Sequence, residues 1–148
     1  MTKTILLAED SEDDVNLFLH TMRKSGLRNP VLVVRDGEEA IAYLKGEGKF
    51  ADRDSYPLPE ILMLDLMMPR MDGFQVLEWI RTQQEFQKLL VVVLCHLGET
   101  REINQAYDLG ARSYLTKPVT TEDLVNLTSH FGDYWERIPS HGNRVTNY

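Results

Sequence analysis

Four groups of residues in this chain carry side chains able to do chemistry, and they lie far apart in sequence: Glu9-Asp10, Asp65, Cys95-His96 and Lys117. Asp65 is the sharpest of them. The stretch I-L-M-L-D-L-M-M-P, residues 61 to 69, puts one carboxylate inside an apolar run, where burial without a partner is costly. Such a carboxylate suits nucleophilic attack or cation binding; its plainer role is a turn or cap at a strand end. Glu9 and Asp10 could likewise complement a helix dipole, and Lys117 could be a solvated residue before a turn. Jointly these plain roles weaken, because carboxylates packed together repel and a site holding three requires a cation. Oxygen donors in small number suit Mg²⁺, which keeps several waters and bridges carboxylate to phosphate.

Cys95 beside His96, at the end of V-V-V-L-C-H, raises the question of a nucleophile pair or a metal site. Adjacent strand residues point to opposite faces, so the imidazole could hardly reach the thiol as a base. Structural zinc needs four convergent ligands, whereas the His residues are scattered at 20, 96, 130 and 141, and a lone Cys forms no internal disulfide. A thiol near Lys117 could have a lowered pKa and a redox role, which nearby carboxylates would oppose. The plain reading is a small apolar residue finishing a core strand.

The elements that must position these groups show in the apolar pattern. Candidate strands are Thr4–Ala8, Val31–Val34, Ile61–Leu66, Leu89–Leu94 and Ser113–Thr116. The second to fourth are rich in Val, Ile and Leu without polar alternation, as strands covered on both faces are. Between them lie helical periods. Val15, Phe18, Leu19 and Met22 form one stripe, opened by Ser11 and acids and closed by Ser25-Gly26. Leu124, Leu127, Phe131, Trp135 and Ile138 form another, opened by Thr120 with Asp123 three residues on. Regular β-α alternation predicts an α/β fold: a doubly wound five-stranded parallel sheet with helices on both faces. Function in such a sheet lies at the carboxyl ends of the strands, where Glu9-Asp10, Asp65, Cys95 and Lys117-Pro118 all fall.

Composition narrows the classes. With 148 residues and 43% apolar content, one domain is expected. A net charge of −7 without basic clusters speaks against nucleic-acid binding. The start M-T-K-T-I-L-L-A-E-D is too short in apolar residues for a signal-peptide core, and no run approaches membrane-spanning length. A cytoplasmic protein is expected, with no membrane partner.

Glu9-Asp10, Asp65 in L-D-L-M-M-P-R-M-D-G-F, and Lys117-Pro118 in S-Y-L-T-K-P together resemble the signature of a CheY-like receiver domain, the phosphoacceptor module of two-component response regulators. The likeness runs from about Thr4 to Trp135. It implies a flavodoxin-like strand order 2-1-3-4-5, a receiver over residues 1–138 and a polar tail, 139–148, expected to be disordered. The long connection G-E-G-K-F-A-D-R-D-S-Y-P-L-P and the aromatic end H-F-G-D-Y-W-E-R-I-P are similar to single-domain regulators serving bacterial phytochromes. The resemblance assigns roles. Asp65 would take the phosphoryl group from a sensor histidine kinase, in this branch a phytochrome. Asp10, Asp65, the Met67 carbonyl and, through water, Glu9 would hold Mg²⁺. Lys117 would contact the phosphoryl group, Pro118 would follow a cis bond, and Asp72 would cap the next helix.

Cys95 falls where receivers carry Thr or Ser, whose hydroxyl follows the phosphoryl group while an aromatic, here Tyr114, reorients. A thiol donates weakly, so the switch is expected to couple less tightly. Met67 and Leu97 are apolar where fast-hydrolysing receivers carry polar groups, which implies slow dephosphorylation. Output is expected by contact with a downstream protein through residues 99–109, 113–116 and 122–138. Phe131, Tyr134 and Trp135 pack either on the core or in a homodimer. The implied protein is a signalling switch rather than an enzyme acting on other molecules. Two alternatives stay open. A haloacid dehalogenase-type phosphotransferase needs a second Asp where Met67 stands, and a degenerate receiver would bind partners without phosphorylation.

Overall fold

A computed structural model describes residues 3–96 and 100–135. Five parallel strands, β1 (Ile5–Ala8), β2 (Val31–Val34), β3 (Ile61–Asp65), β4 (Leu90–Cys95) and β5 (Ser113–Thr116), lie in the order β2-β1-β3-β4-β5. This is the expected doubly wound sheet. Five helices connect or follow the strands: α1 (Glu12–Lys24), α2 (Gly37–Lys45), α3 (Gly73–Arg81), α4 (Thr100–Asp108) and α5 (Thr121–His130). Alternate strand residues feed two cores. Leu6, Ala8, Leu62, Leu64, Val91 and Val93 face α2, α3 and α4, while Ile5, Leu7, Ile61, Met63, Leu90 and Val92 face α1 and α5. Every residue of β1, β3 and β4 is buried, the physical reason these segments read as unbroken apolar runs. Among the described residues no helix is long and apolar enough to cross a membrane.

Local chemistry fixes the helix starts that face the carboxyl edge. Ser11 Oγ accepts from the Asp14 amide, Asp72 and Gln75 form a reciprocal capping box, and Thr120 and Asp123 form a second. β2 and β5 coincide with the expected runs, and the limits of β1, β3 and β4 differ from them by one residue. β4 extends to Cys95 because the Cys95 carbonyl still accepts from the Lys117 amide at 2.8 Å.

The last helix departs from expectation. Its stripe suggested continuity to Ile138, but α5 stops at His130, Phe131 leaves helical geometry at φ −131°, ψ 51°, and a 3₁₀ turn covers Gly132–Tyr134. Gly132, a poor helix former, sits at the break. The turn still delivers Trp135 to the core beside α1 and α5, and Tyr134 donates its hydroxyl to the Lys88 carbonyl at 3.1 Å. These aromatics therefore pack on their own chain. Ile138 and the tail 139–148 lie outside the described residues.

The long connection before β3 is built rather than loose. Arg53 donates to the Tyr43 carbonyl at 2.9 Å and the Leu44 carbonyl at 2.9 Å, closing the end of α2. Above it Tyr43, Phe50 and Tyr56 form an aromatic cluster with ring centroids 5.1–6.0 Å apart, Tyr56 meeting the other two rings edge-on.

A second brace holds the β3–α3 loop. Asp36, the buried N-cap of α2, accepts from the Glu39 amide at 2.8 Å and from Arg70 Nε at 2.9 Å. Next to it the Gly37 amide donates to the Met71 carbonyl at 3.0 Å, and a Cβ at residue 37 would lie 2.2 Å from that oxygen. Burial opposes ionisation of Asp36, but the Glu39 amide and Arg70 overcome it and hold the carboxyl below its ordinary value. A depressed folded-state pKa contributes stability above the ordinary carboxylate range and loses it as pH falls through the folded value. Asp36→Ala is therefore expected to destabilise the fold by about 1–3 kcal/mol at pH 7. Denaturant titration should show the deficit shrinking as pH falls below the ordinary carboxylate value of about 4, where the unfolded chain takes up the proton, and continuing to shrink until the folded carboxyl protonates at its lower value.

Candidate functional site

Strand order reverses between β1 and β3, and the crevice beyond their carboxyl ends receives the predicted residues. Ala8 pairs with Leu64, so the next residues along, Glu9 and Asp65, emerge side by side. Both are buried, at 1% and 2% exposure, while Asp10 is exposed. Carboxylate oxygens of Glu9, Asp10 and Asp65 lie within 4.8 Å of one another. Lys117 arrives from the far side, carried by β5 and by the hydrogen bond that its amide donates to the Cys95 carbonyl, and the Lys117–Pro118 peptide is cis.

The Lys117 ammonium ties the crevice together. Nζ donates to Glu9 Oε1 at 2.9 Å, to Asp65 Oδ2 at 3.1 Å and to Asp14 Oδ2 at 3.2 Å, with its side chain only 9% exposed. Asp65 Oδ1 accepts from the Met67 amide at 3.1 Å, so both oxygens of the carboxylate are held. Glu9 Oε2 accepts from the Ser11 amide at 3.1 Å. Burial drives the Glu9 carboxyl up to about 7; Lys117 pulls it down and the Asp65 charge adds to the rise. Desolvation would lower Lys117, but Glu9 and Asp65 more than reverse that and raise it above its ordinary value. The site therefore carries more negative charge than one ammonium can balance. Its hard oxygen donors fit a small divalent cation.

The other predicted residues are placed as follows. Met67 is 58% exposed, its side chain turned from the core. Cys95 is buried, with Sγ 3.7 Å from the Leu115 carbonyl, whereas His96 is exposed, so the two do not face one another as a catalytic pair. Tyr114 is 43% exposed on β5 and meets Tyr107 of α4 edge-on, ring centroids 6.3 Å apart. Leu97 lies outside the described residues.

Sequence reasoning missed Asp14 and the Asp36–Arg70 brace. Asp14 was one of the acids after Ser11 read only as opening the first helical stripe. Nothing in the sequence sets Asp14 apart from its neighbours Glu12 and Asp13; the fold does, by bringing it to Lys117.

Residues 5–129 match the response regulator receiver domain. Response regulator Rcp1 of Synechocystis sp. is 31% identical over 133 residues, covering 90% of this chain and 88% of that protein. The bacteriophytochrome response regulator RtBRR superposes with a TM-score of 0.83 at 35% identity, over 95% of this chain and 84% of that one. The phosphorylated cyanobacterial phytochrome response regulator RcpA gives 0.75 at 32% identity, over 95% and 100%. A Mn²⁺-bound form of Rcp1 gives 0.72 at 30%, over 93% and 99%. The likeness spans sequence and fold alike, and the chain belongs to the response regulator receiver domain family, related within it to the phytochrome response regulators.

Proposed function

We propose that this chain is a phosphoacceptor switch in which Asp65 takes a phosphoryl group from the phosphohistidine of a sensor histidine kinase. The observation that carries this reading is Lys117 Nζ, 3.1 Å from Asp65 Oδ2 and shielded from solvent, beside an acidic cluster at the switch point of the sheet. A carboxylate oxygen of Asp65 forms the bond to phosphorus as the P–N bond breaks, and the ring nitrogen keeps the electron pair. Asp10, Asp65 and the Met67 carbonyl would hold Mg²⁺, with Glu9 acting through water. When bound, that ion neutralises charge on the transferring group. The chain itself supplies positioning. The Met67 amide and Lys117 fix the plane of the Asp65 carboxylate, and Lys117 can pass from Asp65 to a phosphoryl oxygen with little movement.

The likeness to bacteriophytochrome and cyanobacterial phytochrome response regulators supports a phytochrome as the kinase. Output by contact with a downstream protein, or with a second copy, would use α4, β5 and α5, where Tyr107, Tyr114 and Val125 are exposed. Cys95 at the switch position weakens the response: a thiol in place of a hydroxyl gives up about 1–2 kcal/mol of hydrogen bonding to a phosphoryl oxygen. The two-state equilibrium shifts correspondingly less.

Incubation with acetyl phosphate and Mg²⁺ should add one phosphoryl group to the intact mass, lost with EDTA and absent in Asp65→Asn. No uptake by a folded, Mg²⁺-binding sample would leave a phosphorylation-independent binding module instead. Cys95→Thr should enlarge the fraction of active-state NMR signal at saturating beryllofluoride; an unchanged fraction removes the thiol from the switch. Met67→Asn should shorten the phosphoryl half-life several-fold by orienting water, read by mass after removal of the donor; an equal half-life means that Met67 does not set the lifetime.

A further inference from the structure

An ammonium group has three N–H donors. Lys117 has a carboxylate for each: Glu9, Asp65 and Asp14. Glu9 and Asp65 belong to the cluster able to hold a cation, whereas Asp14 lies outside it. A divalent ion sharing Glu9 and Asp65 draws on both partners of Lys117 and repels the ammonium with twice its charge. Asp14 is the partner whose charge is not divided in this way. It is also firmly placed. Its amide is held by Ser11 Oγ at 3.3 Å in the first turn of α1, and the following residues Val15 and Phe18 are buried.

The wall behind the ammonium gives it little alternative. A cavity of about 10 Å³ lies there, and apart from Glu9, Asp14 and Lys117 its lining side chains are apolar: Leu7, Leu17, Phe18, Leu94, Pro118 and Val119. A charged group facing such a wall keeps the polar partner it has. The Asp14 side chain is 36% exposed, against 3% for Asp65, so it reaches the ammonium from the solvent side of the crevice without itself being buried. We infer that Asp14 is a positioning residue, which keeps Lys117 over the crevice while a divalent cation occupies it and so presents the ammonium to the incoming phosphoryl group. This rests on the reading of Asp65 as phosphoacceptor.

The test uses the full chain with ¹⁵N-labelled lysine, because an ammonium locked in hydrogen bonds and shielded from water exchanges slowly enough to be seen by NMR. In the parent, the Lys117 signal should persist at saturating Mg²⁺. In Asp14→Ala, with an unchanged amide spectrum and a Mg²⁺ affinity within about threefold, the signal should vanish when Mg²⁺ is added, since the remaining partners are shared with the ion. Acetyl phosphate uptake at saturating Mg²⁺ should fall roughly tenfold, the scale of one lost hydrogen bond between charged groups. A Lys117 signal that persists in Mg²⁺-loaded Asp14→Ala overturns the inference, as does its loss in the Mg²⁺-loaded parent. If the parent takes up no phosphoryl group, the acceptor reading of Asp65 falls, and the ammonium signal alone decides the role of Asp14.

Discussion

The structure depends on how one buried ammonium is shared. Parallel strands deliver side chains to a common edge, and here that edge receives two buried carboxylates, Glu9 and Asp65, which could not stay there as bare charges. Lys117 makes them tolerable, and in doing so joins β1, β3 and the end of β5 through contacts spanning 108 and 52 residues of sequence. The balance is deliberately incomplete in the chemical sense: a proton on Glu9 or a divalent cation is needed to settle it. A site left short of positive charge is one that responds to what arrives.

Much of the fold was legible because a sheet covered on both faces leaves a plain mark. β1, β3 and β4 are apolar throughout, and the helices between them carry stripes and caps at the expected offsets. The end of α5 was not legible. Leu124, Leu127, Phe131 and Trp135 keep helical spacing, yet the backbone changes geometry at Phe131, and a 3₁₀ turn preserves the burial of Trp135 without preserving the helix. Periodicity reports which side chains reach the core and says less about the path between them.

Within the site, the legible residues were those whose type conflicts with their surroundings, Asp65 above all. Asp14 conflicts with nothing: an acid in the first turn of a helix is ordinary, and only the folded chain places it against Lys117. The Asp36–Arg70 brace was hidden for a related reason. Its partners stand 34 residues apart in two loops, where no period links them, and Arg70 adopts a positive φ of 64° that its residue type does not announce.

That brace gives the site a mechanical direction. On one side the loop after Asp65 is stapled to α2 through Asp36 and Met71, and at Gly73 it packs so tightly that a Cβ would stand 2.6 Å from the Asp65 carbonyl. On the other side stand β5, at the edge of the sheet, and α4, where only Ala106 is fully buried among the described residues. Stress generated at Asp65 meets one stiff wall and one compliant wall. On the proposed role of Asp65, a rearrangement there would be taken up on the α4 and β5 side, where few residues are buried, rather than around the whole rim.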